Sequence, residues 1–341
     1  KNSGGLGVNE GSGIIILDSS GNKIFEVDME DKLTDKLISG ELQGPGYSPQ
    51  INGNWPENQF LWQSDPVACK ALNTPGESPS CGPKIHHDHW LVPKFSLSAG
   101  VGTDSYIVAG DWTNKGNNYN DSKCVLGGTS MIQNHHPLAI WWITPTNIGT
   151  CCPNGICSGC DFTVDWEWYM QDHYVQNTNP VLPAACGASE GLPSPHYTPG
   201  SINDYPTKID LNVDRENSGG DFCHFNTLHY DHNNSKILAS CRHIHEYYSI
   251  DIDTKEIAFR CCKPEQYGAS NYIVDSSGSP YHPPGSEVTT GSQHGPIVIP
   301  PGYENEGDII VFSNMTWVSE FYGQPVWRSS VIKATPNYTL E

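Results

Sequence analysis

The stretch 221–253, DFCHFNTLHYDHNNSKILASCRHIHEYYSIDID, restricts the fold more than any other part of the chain. It holds three short runs of β-type residues, 225–230, 236–240 and 247–252, too close together for anything but a meander. Asp231, His232, Asn233 and Asn234 separate the first two runs, as a tight antiparallel connection requires. His224 opens the first run and Arg242 closes the second. In an antiparallel pair those ends lie side by side, so an imidazole and a guanidinium share one rim.

The arrangement recurs. His87 precedes Pro93 by six residues, His294 precedes Pro300 by six, and His224 precedes Tyr230 by six. A second apolar run follows each, at 106–109, 237–239 and 309–312, and third and fourth strands are read at 248–251 and 256–259. Comparable hairpins are expected at 14–27, at 330–340 and, around a long insertion, at 138–168. A repeated unit of four short strands predicts an all-β chain folded as a β-propeller. About three and a half such units are visible in a single domain spanning 1–341, with loop insertions at 41–85, 145–163 and 186–220. The first strand of each blade lines the central channel, so His87, His224 and His294 are expected to converge from different blades. A ring must close or leave its edges unpaired. The count therefore implies sequence missing at both ends, another chain or a second copy completing the ring, or further strands within the insertions.

Charge and cysteine content narrow the function. With 38 acidic against 18 basic residues, the net charge of −20 argues against nucleic acid and anionic membranes, which both need basic stripes. No apolar run approaches the roughly 18 residues of a membrane span. Twelve cysteines are many for a cytosolic protein and suit an oxidising compartment, secreted, extracellular or periplasmic. Sequons at Asn120, Asn233, Asn314 and Asn337 suggest glycosylation. Cys69 and Cys81 are expected to pin the first insertion. Cys157-Ser-Gly-Cys160 invites a zinc reading, but the neighbouring Cys151-Cys152 pair favours disulfides. Trp141, Trp142, Trp166 and Trp168 read as packing within blades. Of the histidines outside the repeat, His89, His135, His136, His173, His229, His243 and His245 read as structural or surface residues.

The segment around His224, with its strand, its Ser240-Cys-Arg-His sequence and its Ile-Asp strand end, resembles the arylsulfotransferase (aryl-sulfate sulfotransferase) family. HHD at 86–88, DWEWYMQDH at 165–173, CKPEQYG at 262–268, QH at 293–294 and DIIVFSN at 308–314 follow in the family's order, from about residue 10 to about 335. The resemblance implies a six-bladed propeller. It also implies transfer of a sulfuryl group from an aryl sulfate to a phenol through a sulfated histidine, without a nucleotide donor, cofactor or metal. His294 matches the nucleophile. Arg242, His224 and His87 match the groups around the sulfate, with His86 and Asn226 beside the substrate. Cys223, Cys241 and Cys261-Cys262 depart from the pattern, and a Cys223–Cys241 bridge would stiffen or distort the rim. Two other readings are open. Three channel histidines could hold zinc or copper, and a disulfide-stapled propeller could serve as a non-catalytic extracellular structural or binding subunit.

Overall fold

The computed structural model describes residues 6–8, 13–44, 81–92, 104–114, 138–176, 197–199, 207–210, 223–243, 246–261, 293–321 and 324–336. Contacts divide the chain into two units, one formed by 1–119 with 137–169 and the other by 120–136 with 170–341. Among the described residues, four antiparallel sheets of consecutive strands and one small parallel sheet give an all-β, propeller-like fold.

The first unit opens with β1 (Leu6–Val8), β2 (Gly13–Leu17) and β3 (Lys23–Asp28), an antiparallel sheet matching the hairpin expected at 14–27. A helix that the sequence reading did not anticipate follows, α1 (Met29–Ser39). Asp28 caps its N-terminus by accepting the Asp31 amide at 3.1 Å, and Gly40, at φ 80°, ends it. Its buried Met29 and Leu33 lie four apart on one face and join the unit's core. The second sheet runs β4 (Cys81–Val92), β5 (Ser105–Asn114), β6 (Leu138–Pro145) and β7 (Phe162–Tyr169). Both β6 and β7 fall where a hairpin around an insertion was expected. Of the four tryptophans read as packing, Trp141, Trp142 and Trp168 are buried and Trp166 is half-buried.

The loop between β6 and β7 is closed by Cys151–Cys160 and Cys152–Cys157 disulfides. Although the sulfurs of Cys151, Cys152 and Cys160 cluster as metal ligands would, all three are bonded to another sulfur. None can offer the thiolate that zinc requires. Of the two readings of this motif, the disulfides hold.

The second unit begins with β8 (Tyr174–Gln176), β9 (Tyr197–Pro199) and β10 (Ile209–Asp210), paired parallel in the order β10-β8-β9. The stretch 186–220, expected as loop, thus contributes two of these short strands. The four-stranded sheet that follows, β11 (Phe225–Asp231), β12 (Lys236–Cys241), β13 (Glu246–Asp251) and β14 (Ile257–Cys261), agrees with the expected strands to within a residue or two at their ends. Its first turn forms because the Asp231 carboxylate accepts from the amides of Asn233 and Asn234, at 3.0 and 3.3 Å. The last sheet comprises β15 (Gln293–Val298), β16 (Ile309–Phe321) and β17 (Gln324–Ala334). Of the hairpin expected at 330–340, residues 330–334 form the end of β17, which pairs along its length with β16, and 337–340 lie outside the described residues. Leu238, Tyr247 and Phe259 of the four-stranded sheet pack with Val298, Ile309 and Val311 in one core.

Candidate functional site

His224 and Arg242 stand where an antiparallel pair must place them, one residue outside the ladder of β11 and β12. The pairing continues past the strands, with Arg242 N donating to His224 O at 3.2 Å and His243 N to Cys223 O at 3.1 Å. Beside them Cys223 and Cys241, both fully buried, are joined by a disulfide. The rim is therefore fixed covalently and by two backbone hydrogen bonds. His224 takes φ 44°, a left-handed conformation uncommon outside glycine. Its ring packs on that of the buried His243, with centroids 4.6 Å apart and planes tilted by 32°.

His294 lies in β15, which packs against β11. Hydrogen bonds flank it on both sides. Asn226 Nδ2 donates to Gln293 O at 2.8 Å, and Gly295 N donates to Thr227 Oγ1 at 2.8 Å. The residues just before and just after His294 are thus sewn to the strand that His224 opens. The side chain of Gln293, fully buried, reaches further. Its Nε2 donates to Cys241 O at 3.0 Å and also to Glu246 O. Those carbonyls are the two feet of the turn that carries Arg242, so a single amide ties that turn to the His294 strand.

Glu246 is itself anchored. Its carboxylate accepts from Arg260 Nε at 2.9 Å and Nη2 at 3.0 Å and from the Tyr248 hydroxyl, in a buried cluster. Arg260 is consumed by this pair, whereas Arg242 is not. Among the described residues Arg242 Nε is buried and meets no acceptor. A buried guanidinium donor left open in a chain of net charge −20 is suited to an incoming anion.

One irregularity recurs at each expected histidine. The ladder of first and second strands shifts register between Phe225 and Thr227, between His294 and Ile297, and between Ile85 and His89. Bulges of this kind re-aim side chains beside functional sites. The first leaves Asn226 as the extra residue. Expected to touch substrate, Asn226 instead directs its Nδ2 to the backbone of β15 and accepts the Thr227 hydroxyl at 3.1 Å. The third irregularity contains His86 and His87, whose side chains lie outside the described residues, in the other unit. The structure brings His224, Arg242, Asn226 and His294 onto adjoining strands of one unit.

Sequence reading set His243 aside as structural, although it completes the Ser240-Cys-Arg-His sequence and stacks on His224. Asn314, read only as a sequon, has its Nδ2 3.0 Å from His294 Nδ1. No spacing signals that contact, because it crosses from β15 to β16. Asn233 is exposed in the β11–β12 turn, and Asn120 and Asn337 lie outside the described residues, as do the Cys69 and Cys81 side chains and most of 41–85.

Residues 164–330 match the family model described as arylsulfotransferase (ASST). That segment contains His224, Asn226, Arg242, His294 and Asn314 and excludes His86 and His87. The chain matches no curated protein.

Proposed function

We propose, from the match of residues 164–330 to the arylsulfotransferase (ASST) family model, that the chain moves a sulfuryl group from an aryl sulfate to a phenol through a sulfated His294. The supporting observation is the bonding of β15 on either side of His294 to Asn226 and Thr227, with Gln293 fastening the same strand to the Arg242 turn. This keeps His294, His224 and Arg242, whose Nε meets no acceptor among the described residues, on adjoining strands.

In the proposed first half-reaction, the lone pair of His294 Nε2 attacks sulfur and the bond from sulfur to the aryl oxygen breaks. The ring becomes a cationic N-sulfoimidazole, and the departing phenolate takes a proton from a protonated His224. In the second, the acceptor phenol loses its proton to the same base as its oxygen bonds to sulfur. The nitrogen–sulfur bond then breaks and returns a neutral ring. Arg242 faces the non-bridging sulfate oxygens, whose charge must be held in place throughout.

An oxidising compartment, secreted or periplasmic, belongs to this proposal. The disulfides at Cys151–Cys160, Cys152–Cys157 and Cys223–Cys241 support it. Glycosylation at the exposed Asn233 fits the same setting. The test is transfer from 4-nitrophenyl sulfate to phenol: 4-nitrophenolate release that depends on phenol and is lost in His294→Ala is expected. Absence of transfer by the wild-type protein would overturn the proposal and favour a non-catalytic subunit.

A further inference from the structure

Asn314 presents its amide to His294 Nδ1 from the neighbouring strand. The pair is 3.0 Å apart, and β15–β16 pairing sets Phe312 opposite His294 with Asn314 two residues along the same strand face. An asparagine amide can turn end for end about its last side-chain bond, so the position at Nδ1 can hold either NH2 or carbonyl. The two choices have opposite consequences for the ring. With NH2 forward, Nδ1 accepts and the neutral imidazole carries its proton on Nε2, leaving no lone pair there. With the carbonyl forward, Nδ1–H donates and Nε2, across Cε1, keeps its lone pair.

We propose that Asn314 is the positioning residue that holds His294 in the Nδ1–H tautomer, aiming the Nε2 lone pair at the substrate sulfur. This rests on the reading of His294 as nucleophile. The carbonyl serves again after attack, when it faces an Nδ1–H on a positively charged ring and favours the charged form.

The direct test does not depend on turnover. In protein labelled with nitrogen-15 at histidine, the His294 ring signals are assigned by their loss in His294→Ala, and long-range proton–nitrogen correlations report which nitrogen carries the proton. The wild type is expected to show the Nδ1–H form at neutral pH. Asn314→Ala is expected to revert to the Nε2–H form that an unconstrained histidine prefers in water. The same tautomer in both proteins would overturn the proposal.

With 4-nitrophenyl sulfate and phenol, Asn314→Ala is expected to lower kcat by about 10- to 100-fold, the scale of losing a residue that orients a reactive histidine, with little change in KM. Wild-type transfer by Asn314→Ala would contradict the assignment. If the wild type itself transfers nothing, the sulfotransferase reading falls while the tautomer measurement still decides the role of Asn314.

Discussion

At His224 the backbone holds φ 44°, a conformation that costs a residue with a Cβ about 1–2 kcal/mol relative to glycine. The disulfide at Cys223 and the hydrogen bond from Arg242 N keep the residue there. His224→Gly should therefore be more stable to denaturant than His224→Ala by about 1 kcal/mol, with both inactive in transfer. Equal stability would mean that the backbone is not strained. Arg242→Ala should lower kcat by about 10²- to 10³-fold, the loss typical of one preorganised donor. Arg242→Lys should recover only part, because an ammonium cannot reproduce the planar fork; full recovery would show that charge alone matters. At this scale the repeated interval marked His224 and His294, and the end of the second strand marked Arg242. The roles of Gln293, His243 and Asn314 were hidden because each depends on a contact between chain segments with no periodic relation. Asn314 even carried a competing local meaning as a sequon.

Among the elements, the site depends on how β15 is fastened to the β11–β14 sheet. Gln293→Leu removes the donor to the carbonyls of Cys241 and Glu246 and should cost about 1–3 kcal/mol of stability. Its transfer rate should fall even at temperatures where folding is complete. Unchanged kinetics in a folded variant would show that β15 does not need this tie to place His294. The strands of the β11–β14 sheet were legible because apolar alternation and the Asp231–Asn234 turn agree locally. The helix α1 was missed because its apolar positions Met29, Leu33 and Leu37 sit among acids and lysines. It is fixed by the Asp28 and Gly40 caps and by burial, not by a strong pattern. The end of β17 was misplaced because the sequence marks its β-type residues but not their partner, and that partner is the long β16.

For the whole molecule, burial of histidines sets the response to acid. His229 is held down to about 4 by loss of hydration, with Asp231 opposing, and His173 is also lowered by burial. A histidine depressed in the folded state binds its proton more readily when unfolded. Its contribution is therefore complete above the unfolded value of about 6.5 and is lost as pH falls toward about 4. For His229 this is on the order of 3 kcal/mol. Glu256, lowered to about 2 chiefly by the His173 ring 3.8 Å away, adds a loss between the ordinary carboxylate range and about 2. Denaturant midpoints should fall from pH 6.5 to 4, and His229→Gln should flatten that slope; an unaltered slope would assign the acid sensitivity elsewhere. The propeller class was legible as a whole because repetition survives long insertions. The parallel sheet of β8, β9 and β10 was not, since strands of two or three residues carry no usable alternation.

The central claim is that His294 receives the sulfuryl group. Mixing the protein with 4-nitrophenyl sulfate in the absence of a phenol acceptor, quenching under alkaline conditions and mapping peptides by mass spectrometry tests it directly. One added SO3 on the His294 imidazole, absent in His294→Ala and discharged by phenol, is the predicted result. An unmodified His294, or an adduct that persists in His294→Ala, would contradict it.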